Sequence, residues 1–134
     1  MLKGVLLAVF ITSGYLFASQ GDSKLQESIK RGEAVYTANC QACHQAEGTG
    51  IPGAFPPLAK SDFLKDQKKV IGVVVHGLSG EIKVNGETYN MQMPAQSHLT
   101  DQQVADVLNY VQNNWGNKAT AAVTPAQVAA IRKK

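Results

Sequence analysis

Cysteine is scarce in this chain, with only Cys40 and Cys43 among 134 residues. A structural zinc site takes four ligands. With no further thiol, the pair would have to recruit His76 or His98, or strain adjacent Cys43 and His44 onto one metal with Cys40. The βαβ pattern that accompanies a thioredoxin-like redox pair is missing, and a disulfide across two intervening residues needs unusual geometry. Long apolar runs are also scarce. The opening MLKGVLLAVFITSGYLFASQ has Lys3 as its only charge and 14 uncharged, mostly apolar residues from Gly4 to Phe17. That is shorter than the roughly 20 residues that span a bilayer and suits a signal-peptide core. No basic stripe interleaved with aromatics is present, which argues against nucleic acid as a partner. Lys65, Lys68 and Lys69 are interrupted by Asp62 and Asp66 and read as a solvated face. Internal repeats and low-complexity tracts are absent, and the length leaves room for one small domain.

What the chain does have is the pentapeptide Cys40-Gln41-Ala42-Cys43-His44. Two thiols three positions apart can add to the two vinyl groups of one haem, and the imidazole after the second can bind its iron. The pattern predicts one covalent haem c, with Cys40, Cys43 and His44 as cofactor-binding residues and His44 as an iron ligand. A buried haem would add a large apolar surface to a modest core. Attachment needs reduced thiols delivered to a dedicated assembly system, which in bacteria implies the periplasmic face. Residues 1–19 are therefore expected to be a signal peptide or an N-terminal membrane anchor. Cleavage after Ala18 or Ser19 would leave Leu16 or Phe17 at minus three, a poor site, so both fates stay open. From Gln20 onward 12 Lys and Arg face 10 Asp and Glu, a charge of +2 that two haem carboxylates would bring near neutral.

Leu25, Ile29, Gly32, Tyr36 and Cys40 recur at helical spacing, and Ser23 with Gln26 resembles a capping box. They predict a helix from about Lys24 to about Asn39 that delivers the cysteines at its end. Gly32 in its middle costs about 1 kcal/mol against alanine, so close approach of another helix is expected there. After His44, Gly48, Gly50, Pro52, Gly53, Pro56 and Pro57 forbid regular structure and predict a loop wrapped around the haem edge. Ile51, Phe55 and Leu58 would be its apolar lining. Val70 to Val75 is a strand by propensity, yet its setting between Lys65 and Gly77 suits a helix ended by glycine. Asn85-Gly86 between alternating residues predicts a short hairpin. Thr100 with Gln103 starts a helix whose face is Val104, Val107, Leu108 and Val111, ending near Trp115 with Gly116 beyond it. Thr124-Pro125-Ala126-Gln127 repeats the start signal for a short terminal helix bearing Val128 and Ile131.

A carrier needs both axial positions of its iron filled. Met91, Met93, His76 and His98 are the candidates for the second position, and Met93 is favoured because Pro94 enforces an extended stretch there. Thioether ligation raises the reduction potential relative to two imidazoles. Either methionine could instead fill core space. The second nitrogen of His44 should donate to a carbonyl that fixes the ring, and Pro56 is the candidate.

Taken together, the residues from about Gln26 to Asn117 resemble a class I, single-haem cytochrome c. Gly32 and Tyr36, with Val107 and Tyr110, are similar to the positions where that family's terminal helices cross. The resemblance implies an all-α fold of three core helices around one covalent haem, with a short β-hairpin and an extra C-terminal helix. It also implies that Val70 to His76 is helical and that Met93 is the second iron ligand. The division expected is 1–19 as above, a cytochrome domain over 20–117, and a tail over 118–134. More narrowly, Gly50-Ile-Pro-Gly-Ala-Phe-Pro-Pro-Leu-Ala, His76-Gly-Leu-Ser-Gly, Val84-Asn-Gly-Glu-Thr-Tyr and Met93-Pro-Ala resemble the cytochrome c domains fused to some copper nitrite reductases.

The function this implies is one-electron transfer in the periplasm, soluble or membrane-anchored. The partners would be redox proteins of a respiratory chain: a reductase or dehydrogenase as donor, a terminal oxidase or reductase as acceptor. Docking would be weak, over a small and partly apolar patch, with little electrostatic steering. One alternative is a tightly bound cytochrome subunit of a larger oxidoreductase, with the Ala-rich tail as its binding element. Another is a haem enzyme or gas sensor with a labile Met93. Catalysis is disfavoured because no paired carboxylates or positioned base accompany the iron site.

Overall fold

The computed structural model describes residues 13–134, with side-chain surroundings from residue 20 onward. Most of the 1–19 stretch read as a signal peptide or anchor therefore lies outside the described residues. In chain order the elements are α1 (Ser13–Asn39), α2 (Gln41–His44), a 3₁₀ turn (Asp62–Lys65), α3 (Gln67–His76), β1 (Ile82–Val84), β2 (Glu87–Tyr89), α4 (Asp101–Val111) and α5 (Pro125–Arg132).

The first helix begins well before Lys24, where the capping pattern placed its start. Ser23 does not cap it. Its hydroxyl donates to the Gln20 carbonyl 3.1 Å away, one turn back inside the helix. A serine in mid-helix can satisfy its hydroxyl this way, so the same residue type fits a cap or an interior position.

Helices α1 and α4 cross at Gly32. A β-carbon there would overlap the Asp106 carbonyl oxygen and lie 2.8 Å from Tyr110 Cβ, so only glycine lets the two backbones meet. Below the crossing, Tyr36, Tyr110 and Trp115 form an aromatic trio with ring centroids 5.0 to 5.5 Å apart. Above it lies a buried polar cluster. Asp106, only 2% exposed, accepts from Arg31 Nε at 2.8 Å, Ser28 Oγ at 2.5 Å and Gln102 Nε2 at 2.9 Å. Asn109 donates to Ser28 Oγ at 2.9 Å and exchanges two hydrogen bonds with the Val123 backbone. The cluster ties α1, α4 and the segment entering α5 into one register. Burial pushes the Asp106 carboxyl upward, but the donors from Arg31, Ser28 and Gln102 outweigh it and hold the group below its ordinary value.

Val70 to Val75 lies in α3, against its strand propensity. The Asp66 carboxylate caps the helix at the Lys69 amide, and Gly77 closes it at φ 78°. Burial of Val70, Ile71, Val74 and Val75 on one helical face outweighs their β-branching. The hairpin forms as expected, with Asn85 and Gly86 in the left-handed region at φ 51° and 86°. Asn85 and Asp62 exchange backbone-to-side-chain bonds of 2.9 and 2.8 Å that pin the hairpin to the 3₁₀ turn. Both C-terminal helices start with complete capping boxes, at Thr100 and Thr124. Helix α4 stops at Val111, earlier than Trp115, and Trp115 and Gly116 follow with positive φ.

Residues 118–134 do not trail away from the body. Helix α5 packs on α3 and α4, with Val128 fully buried and Ile131 against the core. Arg132 pairs with Asp101 at 2.7 Å and donates to the Leu99 carbonyl at 2.8 Å.

Candidate functional site

Helices α3 and α4, the 3₁₀ turn, the hairpin and the turn that follows α1 line an apolar cavity of about 90 Å³ that opens to the surface. Val70, Val73 and Val74 of α3 form one wall, and Val107, Leu108 and Val111 of α4 another. Leu58, Phe63, Leu64, Ile82 and Val84 complete it.

Cys40, His44 and Met93 stand in this lining. The end of α1 and the single turn of α2 place the first two. The His44 amide donates to the Cys40 carbonyl at 3.0 Å, which turns the imidazole inward, and Cys43 is left exposed at the surface. His44 Nδ1 lies 2.9 Å from the Pro56 carbonyl oxygen. A carbonyl only accepts, so Nδ1 carries the proton and Nε2 is left with its lone pair. Burial pushes the His44 pKa down, with the Pro56 carbonyl partly opposing it, so the ring is neutral at pH 7. Burial, helped by nearby Cys43, pushes the Cys40 thiol up to about 11.

Met93 is held by the backbone that follows α3. Its backbone exchanges two 2.9 Å hydrogen bonds with Leu78. Gly77 permits this approach, since a β-carbon there would come 2.8 Å from the Met93 carbonyl. Met91 is 55% exposed. His76 Nε2 lies 3.0 Å from the Ile131 carbonyl and His98 Nε2 lies 2.9 Å from Asn39 Oδ1, and neither residue lines the cavity.

Of the three apolar residues expected to line the site, the structure brings in Leu58 and leaves out Ile51 and Phe55. The loop folds on itself. Ile51 and Phe55 exchange backbone hydrogen bonds of 2.8 and 2.9 Å, and this tight turn carries Ile51 to the surface at 41% exposure. Sequence reasoning missed most of the true lining, which comes from α3, α4 and the hairpin. The signal available was the run Val70 to Val75: read as a helix, it has more apolar positions than one core face needs.

The donor set suits a covalently attached porphyrin. A neutral buried imidazole and a thioether reach one apolar cavity, with the Cys40 thiol in its lining and the Cys43 thiol three residues on, at the surface. A site of this kind defines the class of c-type haem proteins.

The cytochrome c family model matches residues 29–115. A cytochrome c-552 of Thermus thermophilus is 35% identical over 99% of this chain and 97% of its own length. The cytochrome c subunit of gluconate 2-dehydrogenase from Pantoea cypripedii is 38% identical over 80% of this chain and 25% of its own. The cytochrome c subunit of the quinone alcohol dehydrogenase of Gluconobacter oxydans is 35% identical over 75% and 22%. The chain belongs to the cytochrome c family, as a class I member with one haem c covalently bound and iron at its centre.

Proposed function

We propose that the chain is a one-electron carrier in which His44 and Met93 would hold the haem iron and Cys40 and Cys43 would be the points of covalent attachment. The observation that carries this is the cavity lining: of the four candidate second ligands, Met93 alone shares a cavity with His44 and Cys40. The bound haem supplies a one-electron iron couple. The protein's residues do the rest. Pro56 orients the imidazole, the Leu78 backbone positions Met93, and the valine walls of α3 and α4 would keep water away from a bound haem. His44 and Met93 would together hold the iron and leave no place on it for a substrate, as suits a carrier rather than an enzyme or gas sensor.

The setting proposed is the periplasm, between redox protein partners of a respiratory chain, with residues 1–19 as signal peptide or anchor. Among the described residues no helix is long and apolar enough to cross a membrane. The narrower likeness to cytochrome domains fused to copper nitrite reductases belongs to the same proposal, as an electron-delivering role without their catalysis.

A second reading, a tightly bound subunit of a larger oxidoreductase, is favoured by the dehydrogenase subunits among the relatives. Helix α5 is a poor candidate for its binding element, because its apolar residues Val128 and Ile131 already pack inward.

Intact mass and visible spectra of the exported protein test the main reading. The expected result is one haem added to the polypeptide and a methionine-to-ferric charge-transfer band. That band should vanish in Met93→Ala and persist in Met91→Ala. A colourless product from a host with working maturation machinery would rule the proposal out. Carbon monoxide binding to the folded, reduced wild type near neutral pH would favour the enzyme or sensor instead.

A further inference from the structure

One polar atom in the cavity wall has no partner. Ser61 is 7% exposed, and its hydroxyl is the single buried side-chain nitrogen or oxygen among the described residues without a hydrogen bond. Buried hydroxyls are almost always satisfied, so an orphan points to a group the polypeptide does not itself provide. The other hydrogen-bonding side chains of the lining are engaged: His44 with Pro56 and Gln96 Nε2 with the Pro94 carbonyl at 3.1 Å.

Ser61 also stands where two cavities adjoin. With Leu64 it lines both the apolar cavity and a polar groove formed by Lys60, Asp62, Lys65, Gln67, Gln112, Asn117 and Lys118. Three cations against one carboxylate make that groove positive. The Ser61 backbone is fixed in place, since its amide donates to Asn117 Oδ1 at 3.2 Å while Asn117 Nδ2 donates to the Leu58 and Val111 carbonyls at 2.7 and 2.9 Å. Such anchoring suits a donor that has to meet a ligand atom at a set position.

Haem c is apolar except for its two carboxylates. We infer that the Ser61 hydroxyl donates a hydrogen bond to one of these carboxylates at the wall shared with the lysine groove, making Ser61 a positioning residue for the haem and a determinant of its redox-linked protonation. The inference rests on haem occupying this cavity. A donor to a carboxylate favours its ionised form and lowers its pKa. An ionised carboxylate near the iron favours the ferric state, so the reduction potential falls as pH rises through that pKa.

The test uses the full-length, haem-loaded protein as wild type, Ser61→Ala and Ser61→Thr, with the midpoint potential measured from acidic to neutral pH. In Ser61→Ala the inflection should move to higher pH by about one unit, a tenfold weaker acid. Ser61→Thr, which keeps the hydroxyl, should restore it. Resonance Raman spectra of wild type in H₂O and D₂O give a second readout that needs no variant, with the haem carboxylate bending mode expected to shift on exchange. A wild type that carries haem but shows no D₂O shift would overturn the Ser61 contact while leaving the carrier reading intact. So would a Ser61→Ala inflection unchanged from wild type. A wild type without haem would overturn both.

Discussion

At position 32 a hydrogen atom stands where any other residue would carry carbon, and the crossing of α1 over α4 depends on it. Gly32→Ala raises helix propensity by about 1 kcal/mol, yet its methyl would overlap the Asp106 carbonyl. The overlap wins, because backbone on both sides cannot yield as a flexible side chain can. Denaturant unfolding of the haem-loaded protein should show a net loss of about 1–3 kcal/mol. Asp106 is the complementary case. Its pKa is held below the ordinary carboxylate value of about 3.9, so its stabilisation is complete above that pH and is lost as pH falls through the depressed folded value. Asp106→Ala should cost about 2–3 kcal/mol at pH 7, leaving Ser28, Arg31 and Gln102 short of a partner. The gap to wild type should shrink in unfolding curves taken at acid pH. Arg31, half exposed, should matter less than Asp106 on truncation to alanine.

Among the elements, α5 has a structural task that composition does not announce. Its apolar residues Val128 and Ile131 are pressed against α3 and α4, and Asn109 clamps the approach to it at Val123. Val128→Asp would place a carboxylate in a fully buried site without a partner, and a loss of about 3 kcal/mol or more is expected in thermal or denaturant unfolding. A helix free to bind a partner would instead tolerate the change with stability intact. Helix α3 shows the opposite relation between element and sequence. Its β-branched run favours a strand, but the Asp66 cap, the Gly77 stop and two buried faces, one to the core and one to the cavity, make it helical.

For the molecule as a whole, the proposed haem site is continuous with the core. Helices α3 and α4, the 3₁₀ turn and the hairpin all turn apolar side chains toward one cavity. A chain with Cys40 and Cys43 both changed to alanine, produced without haem, would leave that space to water or collapse. Far-ultraviolet circular dichroism should show reduced helicity, and the cooperative thermal transition should be lost or moved far down. Native helicity and melting in the haem-free chain would show that the polypeptide packs without its cofactor.

The local features were legible from residues alone: the two capping boxes, the Asn85-Gly86 turn, and a glycine that needed a neighbouring helix. Each is decided by chemistry within a few positions, where side chain and backbone set the geometry between them. What no short window contains is which side chains meet across the chain. The start of α1 ahead of Ser23, the departure of Ile51 and Phe55 from the cavity, the placing of Met93 inside it and Met91 outside, and the Asp106 cluster were settled only when α1, α3 and α4 packed. The physical reason is that burial and hydrogen-bond partnership depend on residues up to 81 positions apart, as between Ser28 and Asn109.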